Sequence, residues 1–386
     1  MFNKSENLFP IKRDYVYLAH SSVGPMYGPA AKAGAEFLEA HSEQGMLLRD
    51  GYESVLDTFR RKVAELLKTS PDNIAYVSNT AEGTNLVANG YPFEPGDQVI
   101  SYVHEFPSNH YPWALQQKRG VELVLLSDVD PCGGLPDGGP RGWSMEELEA
   151  KTTDRTRVIA LSHVQFTSGY AADLKQLGAF CRERGIDLII DAAQSLGVLP
   201  LYPEEHGIAA ITGSTWKWLL ASRGAGIFYT TPELREKLRH TMAGGAMMKH
   251  RGDYLNHAWD PFESARRFEY STLPWEHLVT LETVLDEVFL KYEMGPISHE
   301  VLRLQDRLME LLDGRFYRPL RFPPEHRSGI LVFRTEEDPK SIVRALRVRG
   351  MVATTQGGYL RVAPHFYLTD EDITRVAEVL NQGTRT

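Results

Sequence analysis

The sequence predicts an α/β fold: a large domain on a mostly parallel seven-stranded sheet, followed by a smaller α+β C-terminal domain. Short β-rich apolar runs alternate with longer amphipathic stretches through the first two thirds of the chain, the pattern of βαβ units. The run from Leu188 to Ala193 is apolar without alternation, as expected of a strand covered on both faces. With 386 residues, 42% of them hydrophobic, the chain has the material for two or three units and a large core.

In chain order, the strand candidates are Asn73–Ser78, Gln98–Val103, Glu122–Leu126, Arg157–His163, Asp187–Asp191, Ile208–Thr212 and Gly226–Tyr229. Helical periodicity separates several of them, at Tyr52–Lys68, Asp173–Arg184 and Pro232–His240. Glycine and proline punctuate Asp130–Gly142, read as a surface loop, and Gly244–Phe262, read as the passage to the next domain. A long helical pattern then runs from Trp275 to Leu312. It is followed by a strand at Gly329–Arg334, a helix over Pro339–Val348, a strand at Tyr359–Ala363 and a helix from Thr369. The expected division is a large domain over 16–262 and a small domain from 1–15 and 263–386.

Composition excludes some classes. The net charge of −9 argues against a chain that works by coating nucleic acid or a membrane surface, since both need a basic face. Two cysteines, Cys132 and Cys181, are too few for a disulfide framework and fit a reducing compartment. No apolar stretch is long enough to span a bilayer, and the first twenty residues lack a signal-peptide core. The expectation is a cytoplasmic protein. His104 and His110 have no companions at ligand spacing, so no metal is assigned.

The most informative segment runs from Asp187 to Tyr229. Asp191 ends a buried strand, and 26 residues later Lys217 follows another strand in Ser214-Thr215-Trp216-Lys217. The carboxyl ends of strands in open α/β sheets face the ligand crevice, so these two residues can meet in one pocket. Pyridoxal phosphate chemistry needs this pair: a lysine for the Schiff base and a carboxylate that keeps the pyridine nitrogen protonated. Taken singly, Asp191 also suits a helix N-cap and Lys217 a surface loop.

Together with Tyr17–Pro25 (YLAHSSVGP) and the segment YLRVAPHFYLTDEDI from Tyr359, these motifs resemble the class V aminotransferases of the fold-type-I pyridoxal phosphate enzymes. That family includes cysteine desulfurases, selenocysteine lyases, isopenicillin N epimerases and kynureninases. The resemblance implies that Lys217 is the Schiff-base lysine and Asp191 the partner of the pyridine nitrogen. It likewise implies that Gln194 contacts the phenolic oxygen. Thr80 and Ala81, in a strand–turn–helix segment, correspond to the phosphate-binding turn, and Ser214 to a further phosphate contact.

Phe106 stands where desulfurases usually carry a stacking histidine. A phenyl ring can stack but cannot relay a proton. Phe166 stands where desulfurases and related lyases often place asparagine, leaving Gln165 and His163 as open alternatives for polar contacts there. Thr272, in a segment resembling E-x-G-T with Ser271 in place of glycine, is implied to reach the cofactor phosphate of a neighbouring subunit. That makes a homodimer with shared active sites the expectation. Arg361 is implied to grip the substrate carboxylate through its planar fork.

The resemblance thus implies an enzyme that acts on a small amino acid through an external aldimine. Desulfurases need a cysteine shortly before the C-terminal arginine motif, and none lies there. The first reading is therefore a C–S lyase performing β-elimination on a cysteine-like or thioether amino acid without a persulfide cysteine. An aminotransferase, an isopenicillin N epimerase-like epimerase and a non-catalytic pyridoxal phosphate-binding module are the alternatives.

Overall fold

The computed structural model describes residues 1–383, apart from the side chains of 49–53. The chain enters through β1 (Val16–Tyr17) and builds its main sheet from β2 (Ile74–Val77), β3 (Gln98–Tyr102), β4 (Glu122–Leu126), β5 (Thr156–Ser162), β6 (Asp187–Asp191), β7 (Ala210–Ser214) and β8 (Gly226–Thr230). The spatial order is β2-β8-β7-β6-β5-β3-β4. All pairings are parallel except those of β8, which runs antiparallel to both β2 and β7. The predicted seven-stranded, mostly parallel sheet is therefore present. β4 and β6 have the expected bounds.

β7 lies two residues later than expected, at Ala210–Ser214. A short helical turn at Pro203–His206 and the left-handed Gly207 delay the ladder. Ser214 thereby becomes the last residue of the strand, and Lys217 follows three residues on.

The long helical pattern from Trp275 to Leu312 proves to be two helices. Trp275–Val284 ends in a π-helical turn at Leu285–Phe289 and a short piece to Tyr292. Glu293 then adopts φ 61°, and a new helix covers Met294–Leu311 with Pro296 in its first turn. Proline lacks an N–H and is tolerated there but not in a helix interior, so the break falls before it. Two further helices, Gly28–Gln44 and Pro107–Leu115, lie outside the predicted set, although each carries proline in its first turn.

The C-terminal part forms an antiparallel sheet of β9 (Tyr317–Pro319), β10 (Leu331–Thr335), β12 (Thr354–Gln356) and β13 (Tyr359–Val362), in the order β12-β13-β10-β9. Pro339–Val348 is helical with the predicted bounds, and Thr369 caps the last helix in a capping box with Asp372. The N-terminal segment ties the layers together. β1 pairs in parallel with β11 (Met351–Val352), and the next residues continue along β13, with Ala19 bridging Ala363. Among the described residues no helix is long and apolar enough to cross a membrane.

A buried ion pair locks the sheet edge. Arg60, on the helix Arg49–Leu67, meets Glu269, both almost fully enclosed, and Glu269 also accepts the Tyr76 amide of β2 at 2.9 Å. Removing one partner of such a pair leaves an uncompensated buried charge. Glu269→Ala is expected to destabilise the chain by about 3–5 kcal/mol in urea unfolding, whereas a surface pair such as Lys32–Glu36 contributes under about 1 kcal/mol.

Candidate active site

The carboxyl ends of β2, β5, β6 and β7 open onto one cavity of about 610 Å³. Thr80, Ala81, Phe106, Asp191, Gln194, Ser214, Lys217 and Arg361, eight of the nine residues singled out from sequence, line it together. Parallel strand topology produces most of this convergence, because each strand delivers its terminal residue to the same edge, while β13 of the C-terminal sheet adds Arg361.

At one end, Asn79 caps the helix Thr80–Gly90 by accepting the Glu82 amide at 2.9 Å. The amides of Thr80 and Ala81 belong to the first helical turn and have no intrahelical acceptor. The Thr80 and Ser214 hydroxyls carry no hydrogen bond among the described residues, so donors converge at a positive helix end. Gly83 permits this packing: a Cβ there would stand 2.5 Å from the Thr212 hydroxyl.

Asp191 is 4% exposed. Its Oδ1 accepts the Ala193 amide at 2.8 Å, and its Oδ2 carries no bond. Burial pushes its carboxyl up to about 7, with that amide and Lys217 opposing and Glu105 adding to the rise. Glu105 is itself enclosed and raised by burial, although Ser162, Gln165 and Asn109 all donate to it.

Lys217 lies on the turn between β7 and β8, with its Nζ 5.5 Å from the Phe106 ring centre and 5.4 Å from that of Trp216. Burial lowers its ammonium to about 8, opposed by Asp191 and assisted by Arg361. No ion pair within 4 Å joins Lys217 to Asp191, so space remains between amine and carboxylate. The turn is rigid. Thr215 Oγ1 donates to the Ser222 and Ala225 carbonyls, Leu220 sits at φ 55°, and the Trp218 carbonyl accepts from His365 at 2.9 Å.

Arg361, on β13, is 4% exposed. It donates to the Phe166 carbonyl and the Ser22 hydroxyl, each at 2.6 Å, and to Thr354 at 3.1 Å. No carboxylate pairs with it among the described residues, and burial lowers it to about 10.

Residues 163–166 divide between the cavity wall and the interior. Phe166 lines the cavity, with its ring edge-on to Phe106 at 5.2 Å. Gln165 is fully buried against Glu105, and His163 is likewise buried; neither lines the cavity. Thr272 lies elsewhere, in a separate cavity of about 180 Å³ beside Glu82, Tyr270 and His277. Sequence reasoning missed Ser22, Trp216 and Gln356, which complete the walls. Their only sequence signal was proximity to the motifs.

A lysine amine, a free carboxylate oxygen across a gap, and free donors at a helix start together suit a cofactor with an aldehyde, a basic ring nitrogen and a phosphate. Pyridoxal phosphate has these three features, so the residues present fit it. The fold, a doubly wound sheet with this site at its carboxyl edge, is that of the fold-type-I pyridoxal phosphate enzymes.

Comparison places the chain among them. The family model "Aminotransferase class-V" matches residues 35–375. A probable cysteine desulfurase from Methanothermobacter thermautotrophicus is 26% identical over 99% of this chain and 98% of its own length. An isopenicillin N epimerase from Streptomyces clavuligerus is 29% identical over 84% of this chain and 83% of its own. Among solved structures, the cystine C–S lyase C-DES in complex with cysteine persulfide superposes with TM-score 0.87 at 19% identity, covering 97% of this chain and 99% of that one. The chain belongs to the class V aminotransferase family and is a pyridoxal phosphate-dependent enzyme.

The lowered Lys217 has a direct consequence. Only the neutral amine reacts with electrophiles, so competitive acetylation of Lys217 in the cofactor-free protein should rise with pH through a midpoint near 8, well below the ordinary lysine value of 10.5. Peptide mapping by mass spectrometry reads this midpoint. A midpoint at the ordinary value would contradict the burial argument.

Proposed function

We propose that the chain is a C–S lyase that eliminates a thiol from a cysteine-like or thioether amino acid, without a persulfide cysteine of its own. One observation carries this reading: the titratable groups lining the cavity are Asp191, Lys217 and Arg361, with no histidine, cysteine or tyrosine among them. Lys217 is then the sole group placed to move a proton. A persulfide acceptor is missing, because Cys181 is buried on its helix and Cys132 is exposed on the 130–142 loop, and neither lines the cavity. Epimerisation by two opposed bases lacks its second base, since Phe106 occupies the position of the stacking histidine.

Pyridoxal phosphate, when bound, supplies an aldehyde for the substrate amine and a ring that accepts the electron pair released at Cα. The amides of Thr80 and Ala81 and the hydroxyls of Thr80 and Ser214 would hold its phosphate. Asp191 would keep its ring nitrogen protonated, Gln194 would donate to its phenolic oxygen, and Phe106 would pack against its ring. Arg361 anchors the substrate carboxylate, and Ser22 and the Phe166 carbonyl keep its fork in place. Lys217 takes the Cα proton as base and returns it as acid to the departing sulfur. The Cα–H and Cβ–S bonds break, a thiol leaves, and water completes the release of pyruvate and ammonia.

The large domain in this reading is 16–262, with 1–15 and 263–386 as the small one. Thr272 serves the phosphate of a second copy, which its position outside this chain's own Lys217 cavity supports.

Titrating the cofactor-loaded protein with cysteine, cystine, alanine and a thioether amino acid separates the candidate reactions. A shift of the visible band with release of pyruvate and a thiol or sulfide is the expected outcome, absent in Lys217→Ala. Accumulation of pyridoxamine phosphate would replace the lyase with an aminotransferase.

Arg361→Ala is expected to lower kcat/KM for carboxylate-bearing substrates by about 2–4 kcal/mol, mainly through KM. Unchanged kinetics would move the carboxylate site elsewhere.

A further inference from the structure

Gln194 lines the cavity, and its chemistry there depends on which way its amide points. Its two ends meet partners that are not interchangeable. The Trp218 indole N–H, a donor only, reaches Gln194 Oε1 at 3.0 Å. The Ser21 carbonyl, an acceptor only, accepts a hydrogen bond from Gln194 Nε2 at 2.8 Å. Turning the amide over would set donor against donor and acceptor against acceptor, so one orientation survives.

Position adds the second half of the argument. Ser21 lines the cavity and Trp218 does not. The nitrogen end of the amide thus meets a cavity-lining residue and the oxygen end one that lies away from the cavity, with one N–H still unused after Ser21 is satisfied. Trp218 itself has no freedom to move. It is fully buried, its carbonyl is held by His365, and its ring stacks on His20, whose Nδ1 lies 3.0 Å from the Ala363 carbonyl and whose Nε2 meets the Tyr367 hydroxyl.

We infer that Trp218 is a positioning residue that acts through Gln194, fixing its amide so that the cavity receives an N–H donor where the phenolic oxygen of the cofactor would lie. The inference rests on the proposed placement of pyridoxal phosphate. A donor beside that oxygen favours the form carrying more negative charge on it, and so lowers the pH at which the Lys217-linked cofactor loses its proton.

The test is a spectrophotometric pH titration of the visible band in the loaded protein. Trp218→Phe removes the N–H while keeping an aromatic ring, and is expected to raise the midpoint by about half a pH unit or more. In a Gln194→Leu background, itself raised, Trp218→Phe is expected to add nothing. An unchanged midpoint, or the same rise in both backgrounds, would reduce Trp218 to packing and overturn the inference. Should Trp218→Phe fail to fold, Trp218→Leu removes the same N–H and is read in the same two backgrounds, with the same rise expected only where Gln194 is present. A wild-type chain that shows no visible band with pyridoxal phosphate overturns the cofactor placement, and the inference with it. A normal wild-type band with unshifted variants overturns the inference alone.

Discussion

The site depends on one close backbone approach. Gly24 donates its amide to the Trp216 carbonyl at 3.0 Å, and a Cβ at that position would stand 1.9 Å from the Lys217 carbonyl. No side chain fits, so residue 24 must be glycine for the N-terminal segment to lie against the lysine turn. Along that segment Leu18 and His20 extend the ladder toward β13, Ser21 accepts from Gln194, and Ser22 accepts from Arg361. A few residues of extended chain therefore connect the main sheet, the lysine turn and the C-terminal sheet. The motif YLAHSSVGP is this seam seen in sequence.

The electrostatics of the cavity follow from the burial of its charged groups. Burial displaces Asp191, Lys217 and Arg361 each toward its neutral form, and no pair of them is close enough to cancel the cost. In a purely structural core such groups would be replaced or paired. Here Asp191 and Arg361 are held by bonds to backbone and hydroxyls, and Lys217 lies near the Phe106 and Trp216 rings, contacts that do not neutralise them, the signature of a site arranged for a charged ligand. Phe106, Phe166 and Trp216 supply the low-polarity walls that keep these fields strong.

The parallel strands were legible because each is a short apolar run bounded by turn residues, and β4 and β6 have the same bounds in sequence and structure. The pair Asp191 and Lys217 was legible through strand-end geometry joined to a chemical requirement. The helix pair hidden in Trp275–Leu312 was not, because both halves share one apolar periodicity and a single positive φ at Glu293 separates them. Gln165 illustrates a different limit. His163 and Gln165 lie beyond the end of β5, where strand alternation no longer says which side chain turns inward, and buried Glu105 holds Gln165 away from the cavity while the neighbouring phenyl ring forms its wall. Ser22 was hidden because its role exists only once β13 lies beside it.

The adjacency of Ser21 and Ser22 ties Gln194 and Arg361 to one dipeptide. Gln194 leans on the first and Arg361 on the second, so whatever orders this dipeptide from one end prepares the other. Thermodynamic linkage then requires reciprocity: a cofactor that tightens substrate binding through the seam is itself held more tightly by substrate, and by the same factor.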